Sequence, residues 1–224
     1  MSDIRFHSLQ ESAYLWTAQH VADEKGVSYD IVPIVYRSPE HLALHPFGKM
    51  PVMQHGDFFL YETAAIAHYI DRRFAGPPLQ PSSPRDQAEV IRWISVINSY
   101  VFPTMNRFMK ERLVRPAMGI EPDQAFIDSA EESLKLQMRL IEEAVSDTPF
   151  LAGESLTIAD SFLLPHLLFF GRTPEGEALL AKSRAASAWL DRMRARPSFH
   201  GSISRTYEAF AFFPPARSAG RRNS

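Results

Sequence analysis

The sequence predicts an α/β unit with element order β-α-β-α-β-β-α, followed by an all-α helical bundle. Two observations carry this. Apolar residues switch between strand-like and helix-like periods up to residue 74, and run at helical spacing alone after residue 86. Between the two lies AGPPLQPSSPRD, residues 75–86, with four prolines, one glycine and two serines in twelve positions, which continues neither a helix nor a central strand. The expected division is a first domain over 1–77, a linker over 78–86, a helical domain over 87–210 and a tail over 211–224.

Taken in order, IRFHS reads as a short strand. Ser12 to Lys25 carries apolar residues at helical spacing and ends at Gly26, a natural position for a left-handed helix stop. SYDIVPIV reads as a strand that Pro33 confines to a sheet edge or a bulge. Pro39 to Leu44 is a short helical turn. MPVMQ and FFLYE flank His55-Gly56-Asp57, a hairpin signal, and Thr63 to Phe74 returns to helical spacing. The second half gives a long amphipathic helix over Asp86 to Val114 with a kink at Pro103, then one over Asp123 to Val145. Thr157 to Phe170 is almost wholly apolar, so it is expected to be a central buried helix, bent at Pro165. Shorter closing helices are expected over 177–195 and 198–209. Thr157 and Asp160 make a T-x-x-D capping box, which stabilises a fold and is no catalytic acid.

Composition narrows the chemistry. The 224 residues contain no cysteine, which excludes disulfides, a Cys nucleophile, a thiolate zinc site and C-x-x-C redox work. A formal net charge of −2 gives no general attraction to nucleic acid or anionic membrane. The N-terminal stretch has no apolar leader core, and the longest apolar run, Phe162 to Phe170, is broken by Pro165 and His166 and is too short to span a bilayer. His41 and His45 stand four apart, a metal-ligand spacing, but with no third ligand nearby and Pro46 ending the helix no metal is expected.

Two motifs remain. HPFGKMPVMQHGDFFLYETAAIAHYID, residues 45–71, and LTIAD, residues 156–160, resemble, in this order and spacing, the cytosolic glutathione transferase family, and the likeness covers about 1–210. It implies a thioredoxin-like first domain that binds glutathione as co-substrate, a helical second domain, a small hydrophobic electrophile, no metal, a homodimer, and a cytoplasmic role in detoxification. It implies that the Met50-Pro51 bond is cis, turning the backbone of Met50 outward to pair with the cysteinyl part of glutathione as an added strand would. It also implies that Thr63 and the following helix N-terminus hold the γ-glutamyl carboxylate while Glu62 faces the γ-glutamyl ammonium. Lys49, and Arg37 after the second strand, are implied for the glycyl end.

The catalytic position follows the serine-type, bacterial-like members. The first strand has Phe6 where tyrosine-type members carry Tyr, and cysteine-type members are excluded by composition. Ser12 lies thirteen residues before Lys25 of an E-K-G ending, the serine-type placement. Its hydroxyl would donate to the glutathione sulfur, with Tyr14 as the alternative donor; simple helix capping competes for the same hydroxyl. Two departures stand out: Trp16 where serine-type members commonly carry Arg, and His45 where the pattern has Asn. Tyr14, Tyr100, Met105, Phe108 and Met109 are candidates for the second-substrate site, although an aromatic and Met stripe is more often core. The same scaffold could instead serve non-catalytic binding of apolar ligands, complex formation, isomerisation or peroxide reduction.

Overall fold

A computed structural model describes residues 3–199. The tail over 211–224, and the helix expected over 198–209 except its first two residues, lie outside the described residues. The first strand, β1, spans Ile4–Ser8, and α1 spans Ala13–Glu24. Ser12 caps α1 by accepting from the Leu15 N–H at 3.3 Å. At the other end Gly26 takes φ 67°, and the Val27 N–H returns to the Ala22 carbonyl at 2.9 Å, the paired closure of a Schellman stop. Strand β2, Tyr29–Pro33, runs parallel to β1, and α2 covers Pro39–Leu44. Strands β3, Val52–His55, and β4, Phe58–Tyr61, form a hairpin closed by the His55–Phe58 pair, with Gly56 at φ 63°. Helix α3, Thr63–Arg73, completes the unit.

The sheet order β2-β1-β3-β4 puts β2 on an edge, where the missing Pro33 N–H breaks no ladder. The strand stops there, short of the Ile34-Val35 expected from sequence. This mixed four-stranded sheet with its helices is the thioredoxin-like arrangement that the resemblance implied.

In the helical half, α4 begins at Pro84, inside the expected linker, because Ser83 accepts from the Asp86 N–H at 3.2 Å. Helix α4 (Pro84–Val96) continues through a π turn over Ile97–Val101 into α5 (Phe102–Met109), and through a second π turn over Lys110–Val114 into the short α6 (Arg115–Ala117). Each π turn stands immediately before an X-Pro pair, Phe102-Pro103 and Arg115-Pro116. A proline lacks an N–H and crowds the carbonyl four residues back, and widening the turn to an i→i−5 bond accommodates it. Phe102 N–H bonds Ile97 C=O and Arg115 N–H bonds Lys110 C=O accordingly.

Helix α7 spans Gln124–Ala144 and α8 Ile158–Phe170; every residue of α8 is buried, as its composition predicts. It runs as one helix through Pro165. The expected helix over 177–195 is two, α9 (Pro174–Lys182) and α10 (Arg184–Arg194), separated at Ser183. The start of α10 is satisfied from α7: Glu142 accepts from the N–H groups of Ala185 and Ala186 at 2.9 and 2.7 Å.

The halves are locked by polar groups in an otherwise apolar seam. Helix α1 packs on α8, where His20 Nδ1 lies 2.9 Å from Ser161 Oγ. Arg196 makes a two-pronged contact with Glu24 at 2.6 and 2.7 Å. Within the first half, the buried Lys25 ammonium meets Asp71 at 3.2 Å and donates to the Gly76 and Pro77 carbonyls, anchoring the chain that leaves α3. Gly76 sits at φ 111°, and a Cβ there would stand 2.9 Å from the Lys25 carbonyl, so only glycine lets the chain pass. Asp71 also accepts from the Leu79 N–H at 2.8 Å, and the Leu79 carbonyl takes the Ile158 N–H at 3.0 Å.

Candidate active site

A cavity of about 850 Å³ opens between the halves. One wall comes from the sheet unit: Ser12, Tyr14, Lys49, Met50, Pro51, Glu62 and Thr63. The facing wall comes from the long helical rod and α8: Asn98, Phe102, Asn106, Met109, Phe162 and Phe169.

Helix α3 presents its N-terminus to the cavity without a side-chain cap among the described residues. Glu62 occupies the cap position at φ 71°, a left-handed conformation that costs a non-glycine residue on the order of 1–3 kcal/mol. Thr63 is the first helical residue and is buried. The Met50-Pro51 peptide is cis, as the resemblance implied. The β3–β4 pairing starts at Val52 opposite Tyr61, so Met50 and Pro51 lie beyond the paired stretch at the cavity wall.

His41 positions this segment. The Arg37 N–H donates to His41 Nδ1 at 3.0 Å, which leaves the proton on Nε2 to donate to the Lys49 carbonyl at 2.8 Å. Both ring nitrogens of His41 are thereby engaged by backbone. No group of three metal-ligating side chains occurs among the described residues. His45, 2% exposed, lies against the Tyr61 ring at 4.7 Å, with Nε2 4.0 Å from Glu62 Oε1; burial pushes its ionisation below the usual histidine range.

Ser12 lies at the mouth of α1, half-buried on the cavity wall, its hydroxyl oxygen already accepting the Leu15 N–H. That bond uses a lone pair and leaves the O–H free to donate. Tyr14 differs: its O–H donates to Asn98 Oδ1 at 2.9 Å, and burial, reinforced by Glu62, pushes its ionisation well above the usual phenol range.

The remaining predictions divide. Met109 lines the cavity. Met105 and Phe108, 1% and 2% exposed, are core residues that do not line it. Tyr100 is 63% exposed and also faces elsewhere. Arg37 is exposed outside the lining, at φ 60°, with its side chain against Gly48. Trp16 is fully buried, stacked on Phe169 with ring centres 4.7 Å apart, and its indole N–H donates to the Gln10 carbonyl at 3.0 Å, pinning the loop that carries Ser12. Sequence reasoning did not single out Asn98, Phe102, Asn106 and Lys110, although their spacing of four is visible in the chain.

These features define a class: a thioredoxin-like unit joined to a helical bundle, with two helix N-termini and a cis-proline loop opening on a shared cleft. Residues 3–72 match the family model for the glutathione S-transferase N-terminal domain, and residues 93–197 match that for its C-terminal domain. The chain belongs to the glutathione S-transferase family. It is 33% identical to a probable glutathione S-transferase, GSTF2, of Oryza sativa subsp. japonica over 184 residues, covering 80% of this chain and 85% of that one. It is 30% identical to glutathione S-transferase 3 of Zea mays over 213 residues, covering 91% and 95%. Among solved structures it is similar to glutathione S-transferase I from mais in complex with an atrazine glutathione conjugate, with TM-score 0.83, 28% identity and coverage of 92% and 99%. The two sequence relatives named are plant proteins and lend nothing to the bacterial-like part of the expectation.

Proposed function

We propose that this chain is a glutathione transferase in which Ser12 donates its hydroxyl proton to the sulfur of bound glutathione and so favours the thiolate. The observation that carries this reading is the sharing of one cavity by the Ser12 hydroxyl, at the N-terminus of α1, and the uncapped N-terminus of α3. The γ-glutamyl carboxylate sits on the α3 N–H groups and Thr63, where unpaired donors and the helix field favour an anion. Glu62 faces the ammonium, the Met50 backbone pairs with the cysteinyl unit, and Lys49 takes the glycyl carboxylate. The sulfur then lies near the mouth of α1, where a donated hydrogen bond and the helix field both lower its pKa. The thiolate attacks an electrophile held against the helical wall, forming the S–C bond; the protein supplies position and charge stabilisation, with no covalent intermediate.

Titrating the bound thiol by its thiolate ultraviolet absorbance tests the assignment. Ser12→Ala is expected to raise the bound thiol pKa by about one unit or more and to lower kcat/KM with an aromatic halide roughly 100-fold. An unmoved thiol pKa in Ser12→Ala would overturn the role given to Ser12.

We also infer a homodimer working in the cytoplasm. Support for pairing is family likeness, together with the exposed aromatics of the edge strand β4, where Phe58 and Phe59 are each 43% and Tyr61 38% exposed. Support for the compartment is family likeness. The boundaries 1–77 and 87–210 are proposed as the two domains.

A further inference from the structure

The rod that forms the electrophile wall carries four cations in succession: Arg107, Lys110, Arg112 and Arg115. Three are ion-paired on other faces. Arg107 meets Asp123 at 2.8 Å, Arg112 meets Glu175, and Arg115 meets Glu111 at 3.1 Å. Lys110 is the one that lines the cavity, and it has no carboxylate or hydrogen-bond partner among the described residues. One stripe of the rod, with positions four apart, runs Asn98, Phe102, Asn106, Lys110, and all four reach the cavity. Asn98 Oδ1 accepts from the Tyr14 hydroxyl, which fixes the amide and leaves its two N–H donors without a partner among the described residues. The Asn106 side chain has no protein partner among the described residues, and α8 offers only Phe162 and Phe169 to the same space. On the helical wall an apolar slot is thus edged by two side-chain amides and one uncompensated positive charge, while the other lining charges, Glu11, Lys49 and Glu62, lie on the sheet-unit wall.

We propose that the preferred electrophile is an aromatic carboxylate, its ring held against Phe102 and its carboxylate held by Lys110 and the Asn106 amide. This rests on the transferase reading above and names the substrate class of the same site. A neutral electrophile fits the slot but leaves the ammonium without a counter-charge. An anionic one gains a charge-assisted hydrogen bond and is drawn in by the same charge.

The test is a matched pair, 4-chloro-3,5-dinitrobenzoate and its methyl ester, at saturating glutathione, with the uncatalysed rate subtracted. In both, the thiolate forms the S–C bond, the C–Cl bond breaks, and chloride leaves with the bonding pair. The expected result is a kcat/KM for the acid about two- to fivefold above that for the ester after correction for intrinsic reactivity, carried in KM, the range for an exposed ion pair. Lys110→Met brings the ratio to near one and Lys110→Glu inverts it; a ratio is unaffected by the fraction of protein folded. Lys49→Met, at the glutathione end, lowers both rates together and keeps the ratio. Turnover of the ester with no preference for the acid, or a preference that survives Lys110→Met, overturns the inference and leaves the transferase reading standing. Turnover of neither compound, with S-hexylglutathione still bound, overturns both.

Discussion

Ser12 and Tyr14 both place an oxygen on the cavity wall, and sequence alone does not separate them. Hydrogen bonding does. The Tyr14 proton is committed to Asn98, and the phenol, with its ring packed on Phe102 at 4.7 Å, stays protonated far into the alkaline range. Tyr14→Phe is therefore expected to leave the pKa of the bound thiol within about 0.3 units of the parent, a free-energy change of about 0.4 kcal/mol, while raising KM for the electrophile as Asn98 loses its partner. A thiol pKa that follows Tyr14→Phe instead of Ser12→Ala would transfer the donor role to Tyr14. What was legible at this scale is what local sequence encodes: Ser12 before a helix, Thr63 after a strand, Pro51 opening another. Trp16 was not legible, because its indole serves the Gln10 carbonyl six residues back, a contact created by the turn of the loop.

At the scale of elements, turn and cap chemistry carried far. β1, α2 and the limits of α7 agree with the boundaries read from sequence to within a residue, since each ends on a local signal. The rod from α4 to α6 shows where that stops. An α-helical wheel drawn from Asp86 advances about 100° per residue, and the wider π turn before Pro103 shifts its phase. Met105 and Phe108 rotate into the core while Asn106 and Lys110 come to the cavity. The capping box of α8 was legible, but its reach was not. Asp160, fully buried, accepts from the Thr157 N–H and hydroxyl, the Leu151 N–H and the Trp189 indole N–H, each at 2.9 Å. Burial pushes its ionisation up, and those four donors pull it back. Thr157→Ala is expected to cost about 1 kcal/mol, the scale of one cap. Asp160→Ala strands several donors in a dry core and is expected to cost about 3–5 kcal/mol. Urea unfolding of the two variants checks the difference, and equal costs would mean that Asp160 does no more than cap.

Across the whole molecule, the seam between the halves stores a pH dependence that no segment shows alone. His20 of α1 is fully buried between Ser161 and Ser198, and burial lowers its pKa to about 4. His166 of α8 is buried beside Phe102 and Tyr14, its Nε2 has no hydrogen-bond partner among the described residues, and burial lowers its pKa to about 3. In the unfolded chain each takes up a proton near the ordinary value of about 6.5. Between that value and the folded pKa the unfolded state binds more protons, so stability is complete above pH 6.5 and falls as the pH drops through the window. By pH 5 each histidine is expected to have removed about 2 kcal/mol. Carboxylates with ordinary pKa values near 4 contribute little above pH 5, which isolates the histidines in that range. His166→Phe removes a titrating group that has an unpaired buried nitrogen and fits a pocket already walled by aromatic rings. It is expected to change stability at pH 7 by no more than about 1 kcal/mol while reducing the loss between pH 7 and pH 5 by about 2 kcal/mol, His20 and His45 keeping their shares. Urea midpoints for both proteins at the two pH values provide the measurement; if the variant keeps the parent's full acid slope, His166 is not one of the groups that destabilise the seam in acid.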